Sequence, residues 1–284
     1  MGEGTLFPLR PSPSNPDPMA DSVKLYQTRS GPMMALSTDQ YVGRALEVYG
    51  EYCPGEWALL RQLIKPGMNV VEVGANMGTH SVDMARACAP GAFIAFEPQP
   101  RLFQILCGNL ALNNVANALA YPEGCGDEEG EIGIAQVDYD VEGNFGGFAL
   151  DRYKGDIKVR IRTVDSLNLA TCGLIKVDVE GFEPRVIRGA AETIRRCRPI
   201  LYVENDRPDQ QQEVIDLIAG LGYRMYWHTP SLFSPTNFRG ETRNIYGQTF
   251  SINMLCLPRE GGDSVDGQQE IDPGDWTCPI RLDG

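Results

Sequence analysis

The amino-acid sequence predicts an α/β fold in which a seven-stranded, mostly parallel sheet carries helices on both faces. Short apolar runs rich in valine, isoleucine and phenylalanine alternate with segments whose apolar residues recur at helical spacing. Strands that alternate with helices in this way form parallel sheets that are buried on both faces. Several of the runs are followed at once by an acidic residue, which points to a ligand site at the strand ends.

The most informative stretch, residues 69–98, predicts a strand, a glycine turn, a helix and a second strand. It contains, in order, Val70–Val73, a turn with Gly74 and Gly78, a helical segment from Thr79 to Cys88, and Phe93–Phe96 followed by Glu97. Glycine lets the backbone approach a ligand closely, and the start of a helix offers free N–H groups. A carboxylate at the end of the second strand can accept both hydroxyls of a ribose. We therefore expect a nucleoside-binding βαβ unit.

The glycine turn departs from the fingerprint of dinucleotide-binding proteins, which places glycine at three positions. Asn76 and Thr79 stand where the second and third glycines would be. The wider turn leaves less room for a pyrophosphate and favours a nucleoside without phosphates, such as S-adenosylmethionine. A nicotinamide-dependent oxidoreductase is the alternative enzyme class, although the sequence also has no Tyr-x-x-x-Lys pair. An ordinary βα loop that binds no ligand is a further alternative.

Composition argues against several classes of function. The 284 residues carry a formal charge of −13, which would repel a polyanion, so we expect no nucleic-acid partner. No apolar run reaches the roughly 18 residues of a membrane span, and no basic and apolar leader opens the chain. We therefore expect a cytoplasmic protein without membrane insertion. Eight cysteines without a C-x-x-C pair, and only two histidines, predict buried reduced thiols rather than a zinc site.

The chain divides into four parts by composition. Residues 1–22 are rich in proline and predict a disordered arm, and residues 23–66 predict an accessory unit with a strand at 31–36 and helices at 42–48 and 56–64. Residues 67–258 form the predicted α/β domain. Residues 259–284 are acidic and rich in glycine and predict a loose tail. Because the accessory helices precede the first strand of the sheet, they could cover a bound cofactor.

The strand and helix pattern repeats after the first unit. Further strands are predicted at 118–121, 174–177, 200–203, 223–227 and 250–257, and helices at 100–113, 183–197 and 208–221, with Gly189 as a candidate break in the second of them. Residues 128–156 predict a loop or hairpin insertion, and 157–163 alternate like a half-buried strand. Five strand ends carry candidate ligand-binding residues, namely Gly74, Glu97, Gly126 with Asp127, Asp178, and Glu204. Because the carboxyl ends of parallel strands meet at one edge, we expect all five on one rim.

Four motifs together resemble the FkbM-type S-adenosylmethionine-dependent methyltransferase family. They are Glu-Val-Gly-Ala-Asn-Met-Gly at 72–78, Phe-Glu-Pro at 96–98, Thr-Val-Asp-Ser-Leu at 163–167, and Lys-x-Asp-x-Glu-Gly-x-Glu at 176–183 with Arg-Gly-Ala at 188–190. The resemblance covers about residues 39–258. It implies a class I methyltransferase with a Rossmann-like fold that methylates a hydroxyl on a sugar, a glycan or a natural product. Glu72, where Asp is commoner, and the long 228–249 connection depart from the pattern, and the second leaves the acceptor open.

The resemblance also implies roles for individual residues. The expected cofactor-binding residues are Glu72, Gly74, Ala75, Asn76, Gly78, Thr79 and His80 around the methionine part, Glu97 and Pro98 at the ribose, Gly126 and Asp127 at the adenine, and Asp178 at the amino end. A hydroxyl acceptor must lose a proton, so a base is useful. The candidate catalytic residues are Asp178, Glu180, Glu204 and His228, with His80 as a further candidate base. Simpler roles stay open: a turn for Asp127, a helix cap for Glu180, and plain packing for either histidine.

A bound metal is an alternative to a protein base. Asp178, Glu204 and Asn205 match the places at which catechol-type class I methyltransferases hold a divalent cation, so Mg²⁺ is a candidate cofactor. A protein that binds a cofactor or a partner without catalysis is the third class of function. We expect a small-molecule or saccharide acceptor near the 228–248 connection, with Arg239 and Tyr246 among its contacts, and the sequence leaves a homo-oligomer open.

Overall fold

The structure is a computed structural model that describes residues 22–150, 152–262, 265 and 268–280. These described residues contain twelve strands and seven α-helices. The strands are β1 (Val23–Thr28), β2 (Gly31–Leu36), β3 (Val70–Val73), β4 (Phe93–Phe96), β5 (Ala118–Tyr121), β6 (Glu123–Cys125), β7 (Gly130–Ile134), β8 (Ile157–Arg162), β9 (Leu174–Val177), β10 (Ile200–Glu204), β11 (Tyr223–His228) and β12 (Asn253–Pro258). The helices are α1 (Val42–Val48), α2 (Pro54–Leu63), α3 (Ser81–Cys88), α4 (Pro100–Leu112), α5 (Glu183–Gly189), α6 (Ala191–Cys197) and α7 (Gln211–Gly220). None of these helices combines the length and the apolar composition needed to cross a lipid bilayer.

Seven of the strands form the central sheet, in the order β5-β4-β3-β9-β10-β12-β11. The first five in this order are parallel, whereas β12 runs antiparallel to both of its neighbours. The predicted fold class, a seven-stranded and mostly parallel sheet, is therefore confirmed. The direction of winding changes between β3 and β9, which opens a crevice at the carboxyl ends of the strands where open α/β sheets bind their ligands.

Successive residues of the inner strands face opposite sides of the sheet. Val70 and Phe93 belong to the apolar core on one side, which α1 to α4 cover. Val71 and Ile94 belong to the core on the other side, which α5 to α7 cover. Because both faces are buried, the strands are continuous apolar runs in the sequence, and this is why they could be predicted.

Local backbone constraints set the bounds of two helices. The segment 183–197, in which Gly189 is the candidate break, is divided at Ala190 into α5 and α6. Gly189, the last residue of α5, packs so closely that an added Cβ would lie 1.9 Å from the carbonyl oxygen of Gly126. Helix α2 begins at Pro54, two residues earlier than predicted, because proline suits the first helical position.

An N-terminal hairpin of β1 and β2 packs on α4. The strand β2 was predicted, whereas β1 was not, because three of its six residues are exposed and it lacks an apolar run. Asn109 of α4 is fully buried; its Oδ1 accepts a hydrogen bond from Met34 N at 2.6 Å, and its Nδ2 donates to the carbonyl oxygens of Met34 at 2.9 Å and Met77 at 2.7 Å. One side chain therefore fastens both the hairpin and the glycine turn to the same helix.

A smaller sheet, in the order β6-β8-β7, corrects the prediction for the end of the third strand. The strand β5 ends at Tyr121, and the chain then enters β6, which pairs with β8 rather than with the central sheet. Glu123 of β6 forms an ion pair with Arg162 of β8 at 2.7 Å. The predicted strand at 157–163 is β8, and the predicted insertion at 128–156 supplies its antiparallel partner β7.

The C-terminal segment packs more closely than the sequence predicts. Ile271 is buried in the core, and its N–H donates to the carbonyl oxygen of Met225 at 2.8 Å. The rings of Trp276 and Trp227 lie 6.0 Å apart, and Trp276 also donates to Gln212 at 2.7 Å. The prediction of a loose tail is therefore wrong for the described part of residues 259–284, since apolar side chains in it reach the domain. The predicted arm lies outside the described residues except for Ser22, which is buried.

We predict that Asn109→Ala lowers the free energy of unfolding by about 2–4 kcal/mol, because it leaves the N–H and carbonyl groups of half-buried Met34 and the carbonyl group of buried Met77 without their partner. Urea denaturation followed by circular dichroism measures the loss. Gln104→Ala, on the exposed face of the same helix, is the control and should cost less than about 0.5 kcal/mol. Equal stability of the two variants would contradict the anchoring role of Asn109.

Candidate functional site

One cavity, here named the main cavity, lies at the carboxyl ends of the central strands. Its lining residues are Tyr41, Val42, Tyr52, Glu56, Glu72, Gly74, Ala75, Asn76, Thr79, His80, Glu97, Gln99, Asn144, Gly146, Lys176, Asp178, Glu180, Glu204, Leu232, Thr249, Phe250 and Ser251. The set includes ten residues that the sequence predicted for the site, namely Glu72, Gly74, Ala75, Asn76, Thr79, His80, Glu97, Asp178, Glu180 and Glu204. The strand ends of β3, β4, β9 and β10 therefore meet around one space.

The glycine turn after β3 touches the loop after β9. Gly74 has a φ of +86°, and an added Cβ would lie 1.8 Å from the carbonyl oxygen of Asp178. Only glycine tolerates both the positive φ and the close approach. Asn76 also has a positive φ, of 51°, which asparagine adopts more readily than most residues. The backbone conformation thus explains the two residue types at these positions without reference to a ligand.

Glu97 joins the end of β4 to the glycine turn. Its Oε2 accepts a hydrogen bond from Asn76 N and its Oε1 accepts one from Gln99 N, both at 2.8 Å. The side chain is buried, and burial raises the pKa of Glu97 to about 7, although the two hydrogen bonds oppose this shift. Each carboxylate oxygen has a further lone pair with which it could accept a ligand hydroxyl.

Lys176 is the one lysine or arginine among the described residues that line the main cavity. Its Nζ lies 2.9 Å from Asp178 Oδ2 and 3.9 Å from Glu72 Oε1, and the side chain is buried. Burial opposes a charged ammonium, but the carboxylates of Asp178, Glu56 and Glu72 outweigh it and raise the pKa of Lys176. Burial also raises the pKa of Glu72 to about 7, against the effects of Lys176 and a hydrogen bond from Ser81.

Three carboxylates form a cluster beyond Lys176. Oxygens of Asp178, Glu180 and Glu204 lie within 4.8 Å of one another. Asp178 pairs with Lys176 and Glu180 pairs with Arg207, whereas the buried Oε2 of Glu204 has no hydrogen-bond partner among the described residues. Burial, followed by the charge of Asp178, raises the pKa of Glu204 well above its ordinary value. The cluster therefore favours a protonated Glu204 beside two paired carboxylates.

A second cavity, of about 680 Å³, adjoins the main cavity. Tyr52, Thr79 and His80 line both of them and form their common wall. The second cavity is lined further by the turn between β1 and β2, by the start of α2, and by residues 230–236. Its polar and aromatic side chains include Arg29, Ser30, Glu51, Trp57, Arg61, Asp83 and Phe233.

Four predicted cofactor-binding residues do not line the main cavity. Gly78 packs toward Leu106, and Pro98 follows Glu97 without joining the lining. Gly126 is buried, and Asp127 is exposed. The prediction that Gly126 and Asp127 end a strand of the central sheet is wrong, because they follow β6 of the smaller sheet, and their place at the adenine stays a prediction.

His228 and Asn205 also lie outside the lining of the main cavity. His228 Nδ1 is 2.8 Å from the hydroxyl oxygen of Tyr202, and the histidine lines a different cavity with residues of the C-terminal segment. Asn205 is buried, and its Nδ2 donates to the carbonyl oxygen of Gln211 at 3.3 Å. Both side chains bond to the protein elsewhere, so the predicted places of His228 on the acceptor side and of Asn205 beside a metal gain no support from the lining of the main cavity and stay predictions.

The connection from 228 to 248 is fastened to the N-terminal elements. Arg239 donates to the carbonyl oxygen of Gln27 at 3.1 Å, and the hydroxyl of Tyr246 donates to the carbonyl oxygen of Tyr41 at 2.6 Å. These two side chains therefore hold the connection in place, and neither of them lines the main or the second cavity. The acceptor contacts of Arg239 and Tyr246 stay a prediction.

Several lining residues were not predicted from the sequence. Lys176 carried a signal, because a lysine interrupts an otherwise apolar strand and opens the Lys-x-Asp motif. No sequence pattern marks Glu56 and Tyr52 as lining residues, since they precede the sheet and reach the cavity only through tertiary packing. Asn144 lies in the insertion before β8, in a part of the chain that the sequence predicted as a loop or hairpin.

We predict that Lys176→Met lowers the free energy of unfolding by about 3–5 kcal/mol at pH 8, because the buried carboxylate of Glu72 and the partly exposed one of Asp178 lose their cation. The loss should shrink at pH 5.5. Glu72 has a folded pKa of about 7, above its ordinary value, so protonation favours the folded chain as the pH falls below 7. The variant lacks the ammonium beside these carboxylates, so its free energy of unfolding should rise more than that of the wild type as the pH falls.

Denaturation of both proteins at the two pH values measures this difference. Lys158→Met removes an exposed lysine that pairs with Glu131 at 3.3 Å and is the matched control, with an expected loss below about 1 kcal/mol at either pH. A loss in Lys176→Met that is equal at pH 5.5 and pH 8 would contradict the role of the buried ion pair.

Comparison with known proteins bears on the central part of the chain. The family model described as the methyltransferase FkbM domain matches residues 72–225. The chain is 27% identical over 143 residues to "Methyltransferase 1" of Beauveria bassiana and 28% identical over 151 residues to "Methyltransferase sdnD" of Sordaria araneosa. These matches cover 42% and 52% of this chain, and 57% and 54% of the two relatives, so the chain spans little more than half the length of each.

Among solved structures, the chain is similar to a methyltransferase FkbM from Methylobacillus flagellatus, with a TM-score of 0.45 and 14% sequence identity over 77% of this chain and 55% of that one. The family model carries the assignment, because it matches more than half of the 284 residues and includes the glycine turn, Glu97 and the Lys-x-Asp motif. This chain belongs to the FkbM methyltransferase domain family.

Proposed function

We propose that this chain transfers a methyl group from S-adenosylmethionine to a hydroxyl oxygen of a small molecule or saccharide. Membership of the family supports methyl transfer. The observation that carries the proposal is Glu97, a buried carboxylate that ends β4 and accepts a hydrogen bond from the glycine turn after β3. A carboxylate in this position can accept both hydroxyls of the ribose of a nucleoside.

The charge of the main cavity favours a cationic cofactor over a dinucleotide. Six carboxylates line it, those of Glu56, Glu72, Glu97, Asp178, Glu180 and Glu204, against the single ammonium of Lys176. S-adenosylmethionine carries a sulfonium and an ammonium, which such a lining attracts. The pyrophosphate of a nicotinamide cofactor would be repelled. This difference supports the methyltransferase over the oxidoreductase that the glycine turn alone left open.

The parts of the cofactor can be assigned to parts of the cavity. The methionine portion would lie on Gly74, Ala75 and Asn76, with its ammonium toward Asp178. The adenine would lie beyond the ribose, beside the segment 144–146, which takes the part first expected of Asp127. Methyl transfer is a direct displacement, so the enzyme gains rate mainly by aligning the acceptor oxygen, the methyl carbon and the sulfur.

The second cavity supports a polyhydroxylated acceptor. It combines the rings of Trp57 and Phe233 with the charged groups of Arg29 and Asp83. Binding sites for small molecules commonly pair aromatic walls with a few polar groups that fix orientation. The second cavity meets the main cavity at His80, so an acceptor held there would have its hydroxyl directed toward the cofactor. A protein that binds the cofactor without catalysis would not need this adjoining space.

We predict micromolar binding of S-adenosylmethionine and no measurable binding of NAD, both by calorimetry. Glu97→Gln should weaken binding of S-adenosylmethionine by at least about tenfold, because hydrogen bonds to a charged carboxylate contribute roughly 1.5–3 kcal/mol each. Glu128→Gln, an exposed change, is the control and should bind like the wild type. Tight binding of NAD with no heat from S-adenosylmethionine would refute the proposal.

The affinity for S-adenosylmethionine should fall as the pH is lowered below 7. In the free protein the pKa of Glu97 is about 7, so an increasing fraction of this carboxyl is protonated below that pH. Contacts with the ribose and with a cation favour the ionised carboxylate of Glu97. Binding must therefore release the proton, which lowers the affinity for S-adenosylmethionine by up to about tenfold per pH unit. Calorimetry at pH 7.5 and 5.5 measures this effect. Glu97→Gln should show a smaller pH dependence, and an equal dependence in both proteins would remove Glu97 as its source.

A divalent cation is the second way to activate a hydroxyl, and the cluster of Asp178, Glu180 and Glu204 could supply oxygen ligands. Two of the three already pair with Lys176 and Arg207, so we favour a protein base. We predict no saturable heat when Mg²⁺ is titrated to about 5 mM in the presence of S-adenosylhomocysteine. This Mg²⁺ concentration is roughly at the upper end of the dissociation constants of weak protein sites for such cations. Saturable binding that Asp178→Asn abolishes would support the metal instead.

A further inference from the structure

Two buried polar atoms face each other in the wall between the main and the second cavity. His80 Nε2 lies 3.6 Å from Glu56 Oε2, and the two side chains are 8% and 3% exposed. Neither atom has a hydrogen-bond partner among the described residues. Buried polar atoms are normally paired, and hydrogen bonds between catalytic groups often tighten only in the complex with substrate.

Glu56 is held so that one carboxylate oxygen stays free for this contact. Its Oε1 accepts a hydrogen bond from Ser251 Oγ at 2.7 Å, and Asn253 Nδ2 in turn donates to Ser251 Oγ at 2.7 Å. The carboxylate is thus fixed from β12 and the residues before it. Its second oxygen, Oε2, faces His80.

The histidine is placed where the two cavities meet. It stands two residues after Gly78 and directly before α3, so the glycine turn fixes its backbone. Its ring lies 6.0 Å from the ring of Tyr52. A cofactor on the glycine turn and an acceptor in the second cavity would therefore both be next to the imidazole.

Resting on the proposed methyl transfer, we propose that His80 accepts the proton of an acceptor hydroxyl that enters through the second cavity, and that Glu56 positions the imidazole. The acceptor oxygen forms a bond to the methyl carbon, and the carbon–sulfur bond breaks with its electron pair left on sulfur. The hydroxyl proton passes to Nδ1 of the imidazole. The other nitrogen, Nε2, carries its hydrogen toward Glu56, and the imidazolium later releases the proton to water.

The charges around His80 suit a base that is neutral before the reaction. Burial lowers the pKa of His80, while the carboxylates of Glu56 from α2, Asp178 after β9 and Asp83 from α3 raise it and Lys176 from β9 lowers it. The net shift is downward, so the imidazole is uncharged at neutral pH and can accept a proton. Glu56 then stabilises the imidazolium that forms, as an orienting carboxylate does beside a catalytic histidine.

The other candidate bases are less suitable. His228 Nδ1 is bonded to Tyr202, and the histidine lies outside the main and second cavities. Glu204 has a pKa raised well above its ordinary value, so this carboxyl tends to be protonated already. Glu180 pairs with Arg207, so its carboxylate already has a cationic partner.

The chain has only two histidines, so nitrogen-15 NMR of the untagged protein reports on His80 with little overlap. The variant His228→Asn assigns the two rings. We expect a neutral His80 at pH 7 with the hydrogen on Nε2. Glu56→Gln should lower the pKa of His80 by about one unit and reduce the preference for that tautomer, and it should affect His228 less. Saturating S-adenosylhomocysteine should shift the signals of His80 and not those of His228.

The outcomes separate this inference from the proposed function. No binding of S-adenosylhomocysteine by calorimetry would remove the proposed function and this inference with it. Binding that leaves the His80 signals unmoved, a hydrogen on Nδ1, or a His80 that does not respond to Glu56→Gln would overturn the inference alone. A merely packed histidine would show no coupling of its tautomer to both Glu56 and the ligand.

Turnover supplies a second readout, with S-adenosylmethionine labelled in the methyl group and glucose, catechol and lactate as probe acceptors. For any probe that is methylated, His80→Gln should lower kcat by at least about 100-fold, since removal of a general base commonly costs this much. Glu128→Gln, the exposed control, should react like the wild type. Full turnover by His80→Gln would overturn the inference.

Discussion

The main cavity depends on the buried ammonium of Lys176. Without it, the buried carboxylate of Glu72 and the partly exposed carboxylate of Asp178 would lose the cation that they share, which is costly for charged groups removed from water. The lysine lies within β9, where both neighbours along the strand are apolar and buried, so the sheet fixes its position. With this charge in place, the ends of β3 and β9 can approach as closely as Gly74 and Asp178 do.

The surplus of negative charge connects the fold to the proposed chemistry. Burial, together with six carboxylates around one ammonium, favours protonation in the main cavity, which agrees with the raised pKa values of Glu72, Glu97 and Glu204. A cationic cofactor would replace those protons. The same feature would weaken binding of a pyrophosphate, so the electrostatics of the site and the shape of the glycine turn favour the same class of ligand.

The central sheet and half of the site could be predicted because both depend on local sequence. Val70–Val73 and Phe93–Phe96 are buried on both faces, so their apolar runs indicate strands, and strand ends in a parallel sheet share one edge. Gly74, Glu97 and Asp178 follow from that rule. The rule failed for Asp127, because the sequence does not say which sheet a short strand such as β6 joins.

The remaining errors concern contacts between distant parts of the chain. His228 does end a strand, but its partner Tyr202 and the C-terminal segment direct it away from the main cavity. Glu56 belongs to a helix before the sheet and reaches the site only because α2 packs beside α3. Tertiary packing of this kind leaves no pattern in a single sequence, which is why the partner of His80 was not foreseen.

The most direct test is a crystal structure of the protein with S-adenosylhomocysteine. The proposed site predicts the ribose hydroxyls within hydrogen-bond distance of the Glu97 carboxylate, the homocysteine portion on Gly74 and Ala75, and the sulfur facing the wall formed by Tyr52, Thr79 and His80. A ligand bound elsewhere, or a ribose that makes no contact with Glu97, would contradict it.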